Sequence, residues 1–296
     1  MYKLRAVRPR DTFYVDWWLM NHCSWHCQYC ADIIRNGSVA TPDLGQAQHT
    51  VKSICDHARS RGLITDWYLT GGEVTEWPYL EDLLHTIKIN GGRVGIRSNA
   101  HLALEQWQKI VDSIDRVVLE FHAEHSSSTH FLMCLKAVRD RGKSAAVTVS
   151  MLPDRWEELE AMIQRIQGLW PDQGINRRML FQDPAVNHRP MQYTPQQEIK
   201  LQRQSGPLIW SDDRGTEEYT DFQTLVMENK NQFQAQSCAA GLEQIVIDAW
   251  GRIYRSHCRT AGTIGVLGQE ITWPTETVIC PRGQCSNGFD VNATKG

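Results

Sequence analysis

Three cysteines within eight residues form the first group that could do chemistry. The stretch HCSWHCQYC places thiols at Cys23, Cys27 and Cys30. A structural zinc ion needs four tetrahedral ligands, and a four-iron cluster needs one outer ligand on each iron. Three thiols therefore leave one position open, which catalytic metal sites use and structural sites avoid. A nearby histidine, His22 or His26, could instead close a zinc site, and a bound small molecule could fill the position.

A second group of four cysteines lies near the end of the chain. It consists of Cys238, Cys258, Cys280 and Cys285, with irregular spacing. Four thiols can close one metal centre completely, either as a four-cysteine zinc site or as an iron–sulfur cluster. A fully ligated centre has no vacancy for a substrate, so it would relay an electron or stabilise a small domain.

Composition limits the class of protein. The 296 residues are 41% hydrophobic and 22% charged, with a net charge of −3, so neither a nucleic acid nor a membrane surface is an expected partner. The sequence shows no secretory leader and no apolar run that could span a bilayer. We therefore expect a cytoplasmic protein whose nine cysteines are not disulfide-bonded. The two outside the groups, Cys55 and Cys134, should be buried in helices.

Alternating β-rich and helical segments must position these residues. The predicted strands cover 12–20, 65–73, 93–100, 116–124, 144–152 and 176–183. The predicted helices cover 46–61, 78–90, 103–113, 128–141 and 153–168. This alternation predicts βαβ units and a parallel sheet, curled into an open barrel or doubly wound. In either arrangement, chemistry gathers at the carboxyl ends of the strands.

Polar or glycine-rich stretches follow several of these strands. Gly71, Gly72 and Glu73 end the second strand, and Ser98 and Asn99 end the third. Glycines allow a backbone to approach a ligand closely. We expect these residues to lie near the first cysteine group, because parallel strands end at one edge of the sheet.

Glu120 and His122 form a further candidate pair on the fourth strand. They are two residues apart, so both side chains point to the same face of that strand. On an interior face they could bind substrate hydroxyl or amine groups or accept a proton. On the other face they would be a structural hydrogen-bonding pair.

The chain loses the alternating pattern after residue 184. Residues 184–237 are polar and read as a connector with helices near 195–204 and 219–230. Residues 243–258 then predict a β-hairpin with its turn at 248–251.

The first cysteine motif resembles a known family. C-x3-C-x2-C with an aromatic residue, Tyr29, before the last cysteine resembles the signature of radical S-adenosylmethionine enzymes. The resemblance implies a partial (β/α)6 parallel barrel and a [4Fe–4S] cluster on Cys23, Cys27 and Cys30. In that family S-adenosylmethionine (AdoMet) chelates the open iron, and a glycine-rich motif at the second strand, here Gly71-Gly72-Glu73, receives its amino group.

The same resemblance implies further cofactor contacts. Tyr29 would lie against the adenine, although ordinary core packing is the alternative. Ser98 and Asn99 would bond the ribose or the carboxylate, although they could equally cap a turn. Ser150, on the fifth strand, is a weaker candidate for the same role. Glu120 and His122 are the predicted catalytic residues.

The second cysteine group resembles the Twitch/SPASM type of C-terminal extension. The resemblance implies an auxiliary [4Fe–4S] cluster on Cys238, Cys258, Cys280 and Cys285, in a small domain containing the hairpin. A structural zinc site is the alternative. The predicted organisation is a radical barrel at 1–190, a helical connector at 191–237 and the Twitch-like domain at 238–296.

These resemblances imply a reaction class. The enzyme would cleave AdoMet reductively to a 5′-deoxyadenosyl radical, which abstracts hydrogen from a substrate carbon. With the auxiliary cluster as electron acceptor, an oxidoreductase that dehydrogenates or epimerises a polar small molecule is favoured. A flavodoxin- or ferredoxin-type protein would donate electrons. Radical modification of a ribosomal peptide and a non-catalytic zinc-binding module remain alternatives.

Overall fold

The computed structural model describes residues 3–182, 190–201, 208–211 and 215–296. The strands are β1 (Lys3–Ala6), β2 (Thr12–Met20), β3 (Ile64–Gly71), β4 (Arg93–Ser98), β5 (Arg116–Phe121), β6 (Ser144–Ser150), β7 (Ile175–Arg178), β8 (Leu208–Ser211), β9 (Glu217–Thr220), β10 (Ser237–Cys238), β11 (Gln244–Ile247), β12 (Arg252–Tyr254), β13 (Thr263–Val266) and β14 (Val278–Ile279). The α-helices are α1 (Leu44–Ser60), α2 (Leu80–Ile89), α3 (Leu104–Ser113), α4 (Ser128–Asp140), α5 (Trp156–Leu169), α6 (Pro195–Leu201) and α7 (Phe222–Met227).

The chain divides into two compact units. Unit 1 contains Met1–Trp17, Gly45–Trp67 and Gln202–Gly296, and unit 2 contains Trp18–Leu44 and Tyr68–Leu201. The strands β2 and β3 each begin in unit 1 and end in unit 2. By these ranges, the first cysteine group lies in unit 2 and the second cysteine group lies in unit 1.

Unit 2 is built on a sheet in the order β2-β3-β4-β5-β6-β7, to which β2 and β3 contribute their C-terminal ends. The pairs β4–β5, β5–β6 and β6–β7 are parallel. Helices α3, α4 and α5 connect these strands, as expected because parallel neighbours need a long crossover connection. The apolar segments of β5 and β6 are typical of strands buried on both faces.

The helices of unit 2 bury one apolar face each. In α3 the buried residues are Trp107, Ile110 and Val111, at helical spacing. The Trp107 Nε1–H donates to the carbonyl of Cys134 in α4 at 3.0 Å, which satisfies the indole inside the core. Burial of one such large side chain contributes about 2 kcal/mol. Cys134 is buried in this core, as the sequence predicts.

Unit 1 contains the predicted hairpin. Strand β11 pairs in parallel with the start of β2, and antiparallel with β12, which in turn pairs with β13. The hairpin turn runs from Asp248 to Gly251, where φ is +74° and a side chain would be strained. Asp248 Oδ1 accepts the N–H groups of Trp250 and Arg252, each at 3.0 Å. Two smaller sheets have the orders β1-β8-β9 and β10-β14.

The predicted α/β class with a parallel sheet is confirmed. The structure adds β1, β8 and β9, which the sequence analysis does not predict, and the connector is thus not purely helical. Residue 183 of the sixth predicted strand, residues 184–189 of the connector and residues 202–204 of its first helix lie outside the described residues. The boundaries at 190 and 237 stay predictions.

Across the described residues, none of the helices combines the length and apolar character needed to cross a bilayer.

Candidate active site

The loop after β2 carries the first cysteine group and is fixed by Asn21. The Asn21 side chain is fully buried, and its amide donates to Asn36 Oδ1 at 2.9 Å and to the Ile33 carbonyl at 3.2 Å. The Cys30 N–H donates to the Cys27 carbonyl at 3.0 Å, which forms a tight turn between these two cysteines. Side-chain hydrogen bonds of Asn21 therefore hold the loop, and one backbone hydrogen bond sets the spacing of Cys27 and Cys30.

The thiols of each cysteine group do not converge on a single point. Over the described ranges, only Cys27, Glu124 and His125 bring three possible ligand atoms within 4.8 Å of one another. Tetrahedral zinc, with bonds of about 2.3 Å, would hold its sulfurs about 3.8 Å apart. A four-iron cluster instead takes each sulfur on a different iron. Within the described ranges, neither cysteine group brings three thiols within 4.8 Å of one another.

Burial and a shared hydrogen bond set the protonation of the first group. Burial raises the pKa of Cys23 to about 11. The hydrogen bond between Cys27 and Cys30 raises the pKa of Cys27 and lowers the pKa of Cys30. Metal ligation requires thiolates, so assembly of a metal centre here would release protons.

The Gly71-Gly72-Glu73 segment lies directly against the start of the cysteine loop. The Gly72 N–H donates to the Met20 carbonyl and the Glu73 N–H to the His22 carbonyl, both at 2.7 Å. A Cβ on Gly72 would lie 1.8 Å from the His22 carbonyl oxygen, and a Cβ on Gly71 would lie 2.2 Å from that of Met20. The paired glycines are therefore required for this close approach.

Glu73 connects this segment to the end of β4. Its buried carboxylate accepts the Asn99 N–H at 2.8 Å and the Thr75 hydroxyl at 2.7 Å. Burial raises the pKa of Glu73. Because these two donors belong to the chain itself, Glu73 positions the edge of the sheet, and its backbone is the part that faces the cysteine loop.

Ser98 and Asn99 both cap the turn after β4. Ser98 Oγ accepts the Ala100 N–H at 3.0 Å, and Asn99 Oδ1 accepts the His101 N–H at 3.0 Å. The Asn99 side-chain amide also lies 4.0 Å from Cys23 Sγ. The turn-cap interpretation thus holds for both residues, and Asn99 additionally contacts the first cysteine group.

His122 and Tyr29 contact each other beside the same thiols. His122 follows β5 by one residue, and its Nδ1 lies 2.9 Å from the Tyr29 hydroxyl and 3.7 Å from Cys27 Sγ. The two rings stack with centroids 5.8 Å apart. Burial lowers the pKa of His122 to about 4, so its imidazole is neutral at pH 7. Tyr29 also packs against Leu180 in a small apolar cluster.

Glu120 lies in an ion-pair network. Arg97 donates to its Oε2 at 2.8 Å, Arg178 donates to its Oε1, and the Ser150 hydroxyl donates to Oε1 at 3.1 Å. Burial by itself would raise the pKa of Glu120, but Arg178 and Arg97 outweigh it and lower the pKa. Tyr68 accepts from Arg97 Nε at 3.2 Å. Glu120 is therefore ionised and strongly held.

Sequence reasoning missed Arg97 and Arg178. Each sits at or next to the last residue of its strand, in RVGIRS and INRR. Strand alternation relative to Glu120 could have indicated a shared face, but only with a known register between β4, β5 and β7. The structure thus brings all the predicted residues of unit 2 to the carboxyl ends of its strands and adds two cations.

The second cysteine group lies in unit 1. The Cys280 N–H donates to the Gln236 carbonyl at 2.9 Å, and the Cys285 N–H donates to the Asn231 carbonyl at 2.8 Å. Burial raises the pKa of Cys238, and the charges of Cys280 and Cys258 raise it further. Cys238 therefore lies within electrostatic range of Cys258 and Cys280.

Charged groups surround this second group. Asp290 Oδ2 accepts the Cys258 N–H at 2.8 Å, and Oδ1 accepts the His257 N–H at 2.8 Å. The buried Lys295 ammonium donates to the carbonyls of Asp290 at 2.7 Å and Ala293 at 2.9 Å. Lys295 also favours the thiolates of Cys238 and Cys285.

No protein-family model matches the chain, and no curated protein sequence matches it. Solved structures do match. Native anSMEcpe with bound AdoMet and Cp18Cys peptide covers 89% of this chain and 79% of its own, with a TM-score of 0.54 and 9% identity. Native anSMEcpe with bound AdoMet and Kp18Cys peptide covers 88% and 78%, with a TM-score of 0.55 and 9% identity. BtrN in complex with AdoMet and 2-DOIA covers 88% and 80%, with a TM-score of 0.44 and 12% identity.

Both anSMEcpe structures contain bound AdoMet and a peptide. This chain shares their fold over most of its length. The fold implied by the resemblance of the cysteine motif is therefore the fold of these AdoMet-bound structures. At 9% identity the likeness is one of fold.

Proposed function

We propose that the chain is a radical S-adenosylmethionine oxidoreductase acting on a polar small molecule. One observation carries the proposal: the three-cysteine loop meets the carboxyl ends of β3, β4 and β5 within unit 2. Asn99 lies 4.0 Å from Cys23 Sγ, and His122 lies 3.7 Å from Cys27 Sγ. The glycine pair approaches the loop backbone through two hydrogen bonds.

The residues of this edge fit the cofactors that we propose. Cys23, Cys27 and Cys30 would hold a [4Fe–4S] cluster with one iron open to AdoMet. Gly71 and Gly72 let the end of β3 lie directly against the cysteine loop. The bound cofactors supply hydrogen-atom abstraction, and an electron donor of flavodoxin or ferredoxin type would serve them.

We assign the positioning and proton-transfer roles to side chains at this edge of the sheet. Asn99, beside Cys23, and Tyr29, beside His122, would position AdoMet. Neutral His122 is the better proton acceptor of the two predicted catalytic residues, because Glu120 is committed to two arginines. Glu120 would orient the substrate side of the site through those arginines.

Alanine replacement of the first cysteine group tests the proposal. In anaerobically reconstituted protein, the triple C23A/C27A/C30A variant should form no 5′-deoxyadenosine and should lose about half of roughly eight irons, as two four-iron clusters require. C134A, which removes a buried thiol outside both groups, is the matched control and should keep the iron. A triple variant that cleaves AdoMet at the parent rate would refute the assignment.

An auxiliary cluster on the second cysteine group would accept the electron that is left when the substrate is oxidised. Removal of a hydrogen atom and a proton leaves one electron, which a fully ligated cluster can accept. The electrostatic coupling of Cys238 to Cys258 and Cys280 supports one centre on these thiols. Cys280→Ala should remove the other half of the iron and impair turnover, while AdoMet still perturbs the first cluster. Parent-level iron in this variant would exclude Cys280 as a ligand.

A further inference from the structure

Two arginines and one carboxylate share one face of the sheet in unit 2. In the strand register Arg97 pairs with Val118, two residues before Glu120, and Ser150 pairs with Arg178. Side chains two residues apart on a strand point the same way, so Arg97, Glu120, Ser150 and Arg178 form a belt across β4 to β7. The hydrogen bonds to Glu120 confirm this geometry.

This face is the one that lies away from helix α5. Arg177, the neighbour of Arg178, donates to Glu160 in α5 through Nε at 2.6 Å and Nη2 at 3.0 Å. Successive residues of a strand point to opposite faces, so Arg178 projects away from that helix. The belt also lies near the cysteine loop, since the charges of Arg178 and Glu120 both act on Cys30.

The charges of the belt do not balance. Glu120 is 4% exposed, whereas the side chains of Arg97 and Arg178 are 38% and 41% exposed. One carboxylate thus serves two guanidinium groups, and one positive charge is left over. Each arginine donates to Glu120 through Nη1 alone, and Arg97 also donates to the Tyr68 hydroxyl through Nε. Over the described ranges, the Nη2 groups of both and the Nε of Arg178 have no acceptor.

The ion pair on the opposite face of the same strand uses its donors differently. There Arg177 binds Glu160 with two parallel hydrogen bonds, and Lys200 Nζ lies 3.6 Å from the same carboxylate. A buried ion pair is tolerated when its charges and hydrogen bonds are satisfied. Arg97 and Arg178 depart from that arrangement, because each binds Glu120 through Nη1 alone and both guanidinium side chains are partly exposed.

We propose that Arg97 and Arg178 bind an anionic group of the substrate, a carboxylate or a phosphate. Planar guanidinium groups bind these oxyanions through paired N–H donors, and two of them on a fixed carboxylate are preorganised for it. The inference rests on the proposed function and narrows its polar substrate to an acid or a phosphate ester. Glu120 holds both cations in place, and the anion completes the charge of the site.

Two other sources of negative charge compete for the same arginines. The carboxylate of AdoMet has the chemistry of a substrate carboxylate, and the thiolate of Cys30 interacts with Arg178. An AdoMet role predicts that replacing either arginine weakens AdoMet binding. A thiolate role predicts a shifted potential of the first cluster with no effect on anion binding. These outcomes separate the sources.

The test uses anaerobically reconstituted holoprotein in an amine buffer with chloride as the only other anion. Inorganic phosphate and malonate are titrated calorimetrically into the parent and into Arg97→Met, Arg178→Met and Arg97→Lys. The control is Arg155→Met, which removes a partly exposed arginine paired with Glu158. AdoMet affinity and the potential of the first cluster are measured in the same samples.

We expect saturable binding of phosphate or malonate to the parent, weakened at least tenfold in both methionine variants. Arg97→Lys should retain part of the binding, and Arg155→Met all of it. AdoMet affinity should change less than twofold. If phosphate and malonate do not bind to the parent, the inference is overturned. It is also overturned if the methionine variants lose AdoMet affinity, or if they shift the potential of the first cluster while anion binding stays at the parent level. Failure of the proposed function has its own readout. In that case the reconstituted parent protein would contain no iron, or its spectrum would not change when AdoMet is added.

Discussion

At the scale of single residues, the glycine pair is the most restrictive feature of the site. Its backbone meets that of the cysteine loop where any side chain would collide with a carbonyl oxygen. Gly71 also has φ of +127°, a conformation that other residues rarely adopt. Sequence alone predicts these positions, because a glycine pair at a strand end indicates a close approach of the backbone to a neighbouring group.

We expect Gly72→Ala to destabilise the protein by about 3 kcal/mol or more, since its Cβ would meet backbone rather than a movable side chain. Iron binding to the first cysteine group should fall with it. Gly168→Ala is the control, because Gly168 lies in α5, where an added methyl group would meet no atom within 4 Å. It should stabilise by up to about 1 kcal/mol through helix propensity.

Urea unfolding of both variants, with iron analysis, measures these effects. A Gly72→Ala protein with parent stability and full iron would show that the loop can move away from the strand end.

At the scale of elements, sequence periodicity predicts much but not register. The six strands of the βα series are recovered with ends that differ by a few residues, because apolar runs and helix signals mark them. Strands β1, β8 and β9 are missed, since each has four residues and β1 pairs with β8 some 200 residues away. The arginines around Glu120 are missed for the same reason, as their contact depends on pairing between strands.

The contact between β7 and α5 carries a pH dependence. Two hydrogen bonds from Arg177 lower the pKa of Glu160. A carboxyl group with a lowered pKa stabilises the fold above its unfolded pKa, and the contribution is lost as the pH falls through the folded value. At pH 7 the pair should therefore contribute about 1–3 kcal/mol, and in strong acid nothing.

Glu160→Gln should accordingly lower the unfolding free energy at pH 7, and the difference from the parent should shrink as acid protonates the folded carboxyl group. Glu158→Gln, which removes the exposed carboxylate partner of Arg155, should change it by less than about 1 kcal/mol. Urea titrations between pH 3 and pH 8 give the comparison. A constant difference between Glu160→Gln and parent across this range would contradict the ion-pair account.

At the scale of the whole molecule, each unit carries one cysteine group, but their supports differ. In unit 2 the group sits on a parallel sheet with covering helices. In unit 1 Cys285 belongs to a small apolar cluster with Leu4, Phe233 and Val291. Small domains with limited cores often depend on a bound metal. The second group is therefore the one whose segment should depend more on its metal centre.

Hydrogen exchange on iron-loaded and iron-free protein tests this difference. Without iron, amides in 231–296 should exchange at least tenfold faster, whereas β4 to β7 should change little. The backbone hydrogen bonds of Cys280 and Cys285 place their amides among the reporters. Equal acceleration in both units would contradict a specific role of the metal in unit 1.

The adjacent arginines of β7 constrain how the loop before the strand can vary. Arg177 faces the helix and Arg178 the opposite side, so a deletion of one residue that shifted the strand would exchange their surroundings. Glu160 on α5 would then lose its contact with Arg177, and the opposite face of the sheet would lose the cation Arg178 beside Glu120. Length changes between α5 and β7 should therefore be tolerated only in pairs, a pattern that a deletion library would reveal without any knowledge of the substrate.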